Sequence, residues 1–135
     1  MSEPILRGLL DTSVFIASET GRALDRSRLP QRSYISVITL AQLRAGVLAA
    51  RDTDTRARRL ATLEGVADVE ALVIDERAAA HWARLRFRLH ETGRRANAND
   101  LWIASVALAN DLPVVAQDAV YEVLVDLGGP AVVRV

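Results

Sequence analysis

LRGLLDTSVFIA, residues 6–17, is the stretch from which the fold is read. Leu6 to Asp11 is short, apolar and stopped by a carboxylate, the pattern of a buried strand. Thr12-Ser13 follow as caps for a short helix, Val14 to Ala17. The same alternation recurs downstream. Apolar runs at Tyr34–Val37, Leu72–Ile74, Val114–Ala116 and Val132-Val133 predict further strands. Helical patterns fill the intervals at Thr39–Ala50, Thr53–Leu63, Glu76–Glu91 and Leu101–Ala109, with another expected at Tyr121–Leu127. Four of the strands show no period-two alternation, so both of their faces should be covered. The expectation is an α/β fold on a parallel sheet, as a single domain spanning residues 1–135.

Local signals support these boundaries. Thr39 and Gln42 have the T-x-x-Q spacing of a capping box, in which two side chains bond reciprocally to the first unpaired amides. Ala79, Trp82, Leu85 and Leu89 share one face of the 76–91 helix, and Gly93 stops it. Asn99-Asp100 precede the apolar run that begins at Leu101 and suit an N-cap.

Composition excludes several chemistries. The 135 residues carry 17 basic and 17 acidic side chains and no cysteine. Zinc-thiolate sites, iron–sulfur clusters, disulfides and thiol nucleophiles are therefore absent. Balanced charge argues against gripping a polyanion by bulk electrostatics. All the basic residues are arginine, and without lysine a receiver-like phospho-acceptor loses the group that would pair with its phosphoryl. No apolar run reaches the roughly 20 residues of a membrane helix, and no leader pattern is found; the expectation is a cytoplasmic protein.

In open parallel sheets, ligands bind beyond the carboxyl ends of the strands, where strand order reverses. Asp11 ends the first expected strand and Asp118 follows the fourth. Asp100 opens the helix that feeds the fourth strand, and Gln42 lies early in the helix after the second. Together they would put four oxygen-bearing side chains on one rim. Such a set suits Mg²⁺ or Mn²⁺, hard cations that prefer oxygen ligands. Taken singly, each also has a structural reading: an aspartate at a strand end is commonly a turn or cap residue, and Gln42 is accounted for by the capping box.

The segments LLDTSVFIA with Asp11, SVITLAQLRAGV with Gln42, ANDLWIAS with Asp100 and PVVAQD with Asp118 occur in an order that resembles the PIN-domain family, and within it the VapC-type toxins. The resemblance covers nearly the whole chain. It implies a three-layer α/β/α sandwich on a five-stranded parallel sheet and a Mg²⁺- or Mn²⁺-dependent endoribonuclease. Asp11, Asp100 and Asp118 would hold the cation, and Gln42 would orient the attacking water. Thr12, Ser13 and Asn99 would support these residues from behind. A cognate VapB-like antitoxin and a homodimer are implied as partners, with RNA as substrate. Two positions depart from the family pattern: Gln42 stands where a glutamate is usual, and Ala116 where threonine or serine is common. A glutamine can accept a hydrogen bond but adds no charge and cannot act as a base. The alternative reading is a PIN domain of weakened catalysis that binds RNA or an antitoxin.

Other candidates are weaker. His81 and His90 have no metal-binding spacing. Ser13 lies in no nucleophile elbow. Trp82 and Trp102 are expected in the core. Arg94 and Arg95 precede the Asp100 segment and would border the same rim, where they could contact RNA phosphates. The alanine-rich helices at 39–50 and 57–63 are expected to form a groove for a partner helix.

Overall fold

The computed structural model describes residues 4–135, so the first three residues of the domain expected over 1–135 lie outside the described residues. The chain runs β1 (Arg7–Leu10), α1 (Thr12–Glu19), a 3-10 turn (Arg26–Arg28), β2 (Arg32–Ser36), α2 (Val37–Ala49) and α3 (Thr53–Gly65). It continues through β3 (Glu70–Leu72), α4 (Glu76–Glu91), α5 (Ala98–Ala109), β4 (Val114–Ala116), a 3-10 helix (Glu122–Leu127) and β5 (Val132–Arg134). The strands form one sheet in the order β3-β2-β1-β4-β5, and every pairing is parallel. Strand order reverses between β1 and β4, which pair as Leu9↔Val114 and Leu10↔Val115.

Side-chain alternation along the strands builds the three layers. Leu9, Tyr34, Val114 and Ala116 point into a core shared with α4, α5 and the last 3-10 helix. Leu10, Ile35 and Val115 point the other way, into a core with Val14 of α1, Leu43 of α2 and Val66. Both faces are thus buried, which is why the strands lack an apolar–polar alternation. Each fully buried leucine or valine contributes about 1.5–3 kcal/mol. The central strands also run close together: a Cβ on Gly8 would lie 2.8 Å from Val115 Cγ2, so only glycine fits.

Several expected boundaries shift, each for a local reason. Asp11, rather than Thr12-Ser13, caps α1: its backbone is extended and its side chain accepts from the Ser13 amide. The helix then runs to Glu19, two residues beyond Ala17. Ser36 caps α2 by accepting from the Thr39 amide at 3.2 Å, so β2 ends there and Val37 is already helical. Thr39 consequently sits inside the helix, fully buried, and the Thr39–Gln42 capping box does not form. Because β2 stops at Ser36, β3 has no partner past Leu72, and Val73 and Ile74 are left 62% and 37% exposed instead of continuing the strand.

Asn97 caps α5, accepting from the Asn99 amide at 2.8 Å; Asn99 and Asp100 lie within the first turn instead of ahead of it. Residues after Tyr121 wind as a tighter 3-10 helix ended by Gly128 at positive φ. Trp82 and Trp102 are half-buried at the core's edge, their rings stacked 4.9 Å apart. No helix among the described residues is long and apolar enough to cross a membrane.

Candidate active site

The strand reversal brings the carboxyl ends of β1 and β4 side by side, and the candidate residues gather there. Asp11 leaves β1 with its amide donating to Val115 O at 2.8 Å, which fixes its backbone against β4. Its side chain is buried, and each carboxylate oxygen has a donor. Oδ2 accepts from the Ser13 amide at 3.1 Å, and Oδ1 accepts from the Tyr121 hydroxyl at 2.5 Å. Ser13 works in both directions along this seam, since its Oγ accepts from the Gln117 amide at 3.1 Å, just past β4.

Asp100 is half-buried in the first turn of α5. Its carboxyl is pushed up to about 6, first by burial and then by the charges of Asp11 and Asp118. Asp11 and Asp118 are therefore near enough to oppose the ionisation of Asp100, as carboxylates crowded at one site do. Burial, the charge and hydrogen bond of Asp11, and the charges of Asp100 and Asp118 hold the Tyr121 phenol far above its ordinary range, so it remains a hydrogen-bond donor. Asp118 is the exposed member, 3.8 Å from the Arg22 guanidinium.

Crowding stops short of a finished cage. Among the described residues no three acidic or histidine side chains are already drawn together around one ion position. The donor set is nonetheless all oxygen, negatively charged and partly desolvated, which fits a hard divalent cation that keeps several waters.

Gln42 approaches through a relay of hydroxyls. Thr12 Oγ1 lies 3.0 Å from Thr39 Oγ1 and 2.5 Å from Gln42 Oε1. A hydroxyl has one proton and a side-chain carbonyl can only accept, so Thr12 donates to Gln42 and Thr39 donates to Thr12. Gln42 thus turns its oxygen toward Thr12 and offers its N–H groups elsewhere. Thr12, Ile16, Gln42, Leu43, Gly46 and Arg59 line a cavity of about 300 Å³ between α1, α2 and α3. Of the alanine-rich helices, Gln42, Leu43 and Gly46 of α2 and Arg59 of α3 reach this cavity, which opens beside Gln42.

Arg94 is not an unpaired cation on the acidic rim. It binds Asp126 at 2.7 Å and reaches toward Val123 O, because the loop after α4 packs on the last 3-10 helix. With Arg95 it borders a groove lined by Trp82, Arg86, Phe87 and Ala96. Tyr121 and Arg22 were not foreseen as part of the site. The signal for Tyr121 was a polar atom within an apolar run only three residues beyond Asp118, since a buried tyrosine hydroxyl needs a partner.

An α/β/α sandwich with three aspartates near the switch point of a parallel sheet defines a class of proteins with an acidic, oxygen-rich rim. Comparison with known proteins narrows that class. The PIN domain model matches residues 8–125. The chain is 54% identical to Ribonuclease VapC5 of Mycobacterium tuberculosis (strain ATCC 25618 / H37Rv) over 135 residues, covering 100% of each. It is 39% identical to Ribonuclease VapC4 of the same strain over 124 residues, covering 91% of this chain and 95% of that protein. A crystal structure of VapBC-5, a toxin–antitoxin system from Mycobacterium tuberculosis, superposes with a TM-score of 0.89 at 53% identity, over 96% of this chain and 98% of that one. The chain belongs to the PIN-domain family.

Proposed function

We propose that this protein is an endoribonuclease of the VapC type, the toxin of a toxin–antitoxin pair, which hydrolyses RNA phosphodiester bonds with Mg²⁺ or Mn²⁺. One observation carries the reading: Asp11 at the end of β1 and Asp118 just past β4 flank the strand switch point of a PIN fold, with Asp100 close enough to feel both charges. The 54% identity to a ribonuclease along the full chain supports it.

Asp11, Asp100 and Asp118 would hold the cation. When bound, it supplies Lewis acidity, making water more acidic and neutralising charge on the phosphate and on the leaving oxygen. Asp100 would have to give up its proton to hold a cation, so loading would be favoured by rising pH. Gln42, with its oxygen fixed by Thr12, directs amide protons and orients water or a phosphate oxygen; it cannot remove a proton. Ser13 holds Asp11 and the Gln117 amide in register. Asn99, exposed beside Asp100 on the first turn of α5, would have to turn its side chain to support that carboxylate. Single-stranded or looped RNA fits best, because a flexible strand reaches a recessed acidic cleft. Arg95 is available for an RNA phosphate, whereas Arg94 must first release Asp126.

The same reading makes a VapB-like antitoxin the partner, with its segment in the groove between α1, α2 and α3, close to Gln42. It includes a homodimer, a cytoplasmic site of action and a single functional domain over 1–135. The test is Asp11→Asn: folding is retained and RNA cleavage in Mg²⁺ or Mn²⁺ is lost. Cleavage by that variant at the wild-type rate with EDTA present overturns the mechanism. Gln42, in place of the family's glutamate, favours one second reading: a weakened nuclease acting as an RNA- or antitoxin-binding module.

A further inference from the structure

We propose that Tyr121 is a positioning residue of the acidic site, its hydroxyl locking the Asp11 carboxylate in the orientation that receives the cation. This rests on the reading that Asp11, Asp100 and Asp118 hold that cation. Tyr121 is fully buried, and its ring belongs to the core that contains Leu124, Leu127 and Val114. Phenylalanine would fill the same space, so packing does not call for a hydroxyl. That hydroxyl nevertheless reaches 2.5 Å from Asp11 Oδ1, tying the segment after Asp118 to the end of β1.

The two anchors on Asp11 act on different oxygens. The Ser13 amide holds Oδ2 and the Tyr121 hydroxyl holds Oδ1. Together they prevent rotation of the carboxylate about its terminal torsion. An ionised carboxylate has about four acceptor sites, so about two remain for a cation and its waters. Without the hydroxyl, Ser13 alone holds the group, which is then free to turn. Partners that orient a ligand from behind commonly change metal affinity by about 10–100-fold. With Ser13 still in place, the lower end of that range is expected.

The experiment measures Mn²⁺ affinity of the RNA-free protein by calorimetry, for wild type, Tyr121→Phe, Asp11→Asn and the double variant. Expected is about tenfold weaker binding in Tyr121→Phe and no further loss when that change is added to Asp11→Asn. At saturating Mn²⁺ the KM for RNA should be unchanged in Tyr121→Phe while kcat falls. Affinity within about twofold of wild type overturns the proposal, as does an equal loss in both backgrounds. Wild type that binds no Mn²⁺ overturns the cation reading and this proposal with it; wild-type binding with an unaffected Tyr121→Phe overturns this proposal alone. A measurement on the intact protein is independent of how the variants fold. The Tyr121 hydroxyl proton should appear in the NMR spectrum as a slowly exchanging downfield resonance, and its absence also counts against the assignment.

Discussion

The Thr12 hydroxyl donates to the Gln42 side-chain oxygen across 2.5 Å, linking the start of α1 to the second turn of α2. A glutamate at this position would accept the same bond and add a negative charge next to Thr12, the neighbour in sequence of Asp11. Gln42→Glu should therefore bind Mn²⁺ several-fold more tightly and cleave RNA faster than wild type. In EDTA near neutral pH it should also be less stable, since like charges are brought together. Calorimetry, a cleavage time course and urea unfolding read the three effects. If neither form cuts RNA at high protein and Mn²⁺ concentration, the binding-module reading replaces the enzyme.

Asp100 makes stability of the cation-free protein depend on pH. Its carboxyl lies at about 6 in the folded chain against 3.8 as a free side chain. Between those values the folded state binds more protons than the unfolded state, so stability falls as pH rises through this window and levels off above it. Asp100→Asn removes the effect. In EDTA near neutral pH it should be more stable than wild type, by about 1 kcal/mol once solvent screening of a half-buried group is allowed for. The difference should shrink toward zero at the acidic end of the window. Added Mn²⁺ should reverse the ranking, because only the wild type gains full binding energy. Urea titrations across the pH range check both statements.

Arg22 and Asp118 face each other at 3.8 Å with both side chains about half exposed. Such a pair contributes little to stability, about 0–1 kcal/mol, yet it competes for a carboxylate that the cation needs. Arg22→Ala should leave the melting temperature nearly unchanged and raise Mn²⁺ affinity by about twofold. A fall in affinity would place Asp118 outside the cation site.

Asn97 and Asn99 separate the observed cap from the one read in the sequence. Asn97→Ala should cost about 1 kcal/mol, because the Asn99 amide loses its acceptor. Asn99→Ala should cost much less, and chemical denaturation of the two variants ranks them.

Most of the architecture was legible because apolar runs and carboxylate stops coincide. LRGLLD marks β1 and the position of Asp11, and PVVAQD marks β4 and Asp118. Helix entry points were misread where two cap candidates stand close together. At Thr12-Ser13, Thr39 and Asn99-Asp100, the true cap lies one to three positions earlier: Asp11, Ser36 and Asn97. The geometry of the chain's entry selects among them, and that geometry depends on where the preceding strand loses its partner. β3 shows the same limit, since its end is set by Ser36 on its neighbour and not by the apolarity of Val73 and Ile74. The sequence around Tyr121 hints that its hydroxyl needs a partner, but neither Asp11 as that partner nor the Arg22–Asp118 pair leaves a local pattern, because these residues meet only after the sheet has formed.

The strand order has a consequence for synthesis on the ribosome. Asp11 emerges with the first strand, but its neighbour across the seam is β4, among the last elements to be made. A nascent chain lacking β4 and Tyr121 has the earliest carboxylate without the companions that surround it. The seam that carries Asp11 is therefore closed only near the end of translation, and any RNA-cutting capacity arises with it.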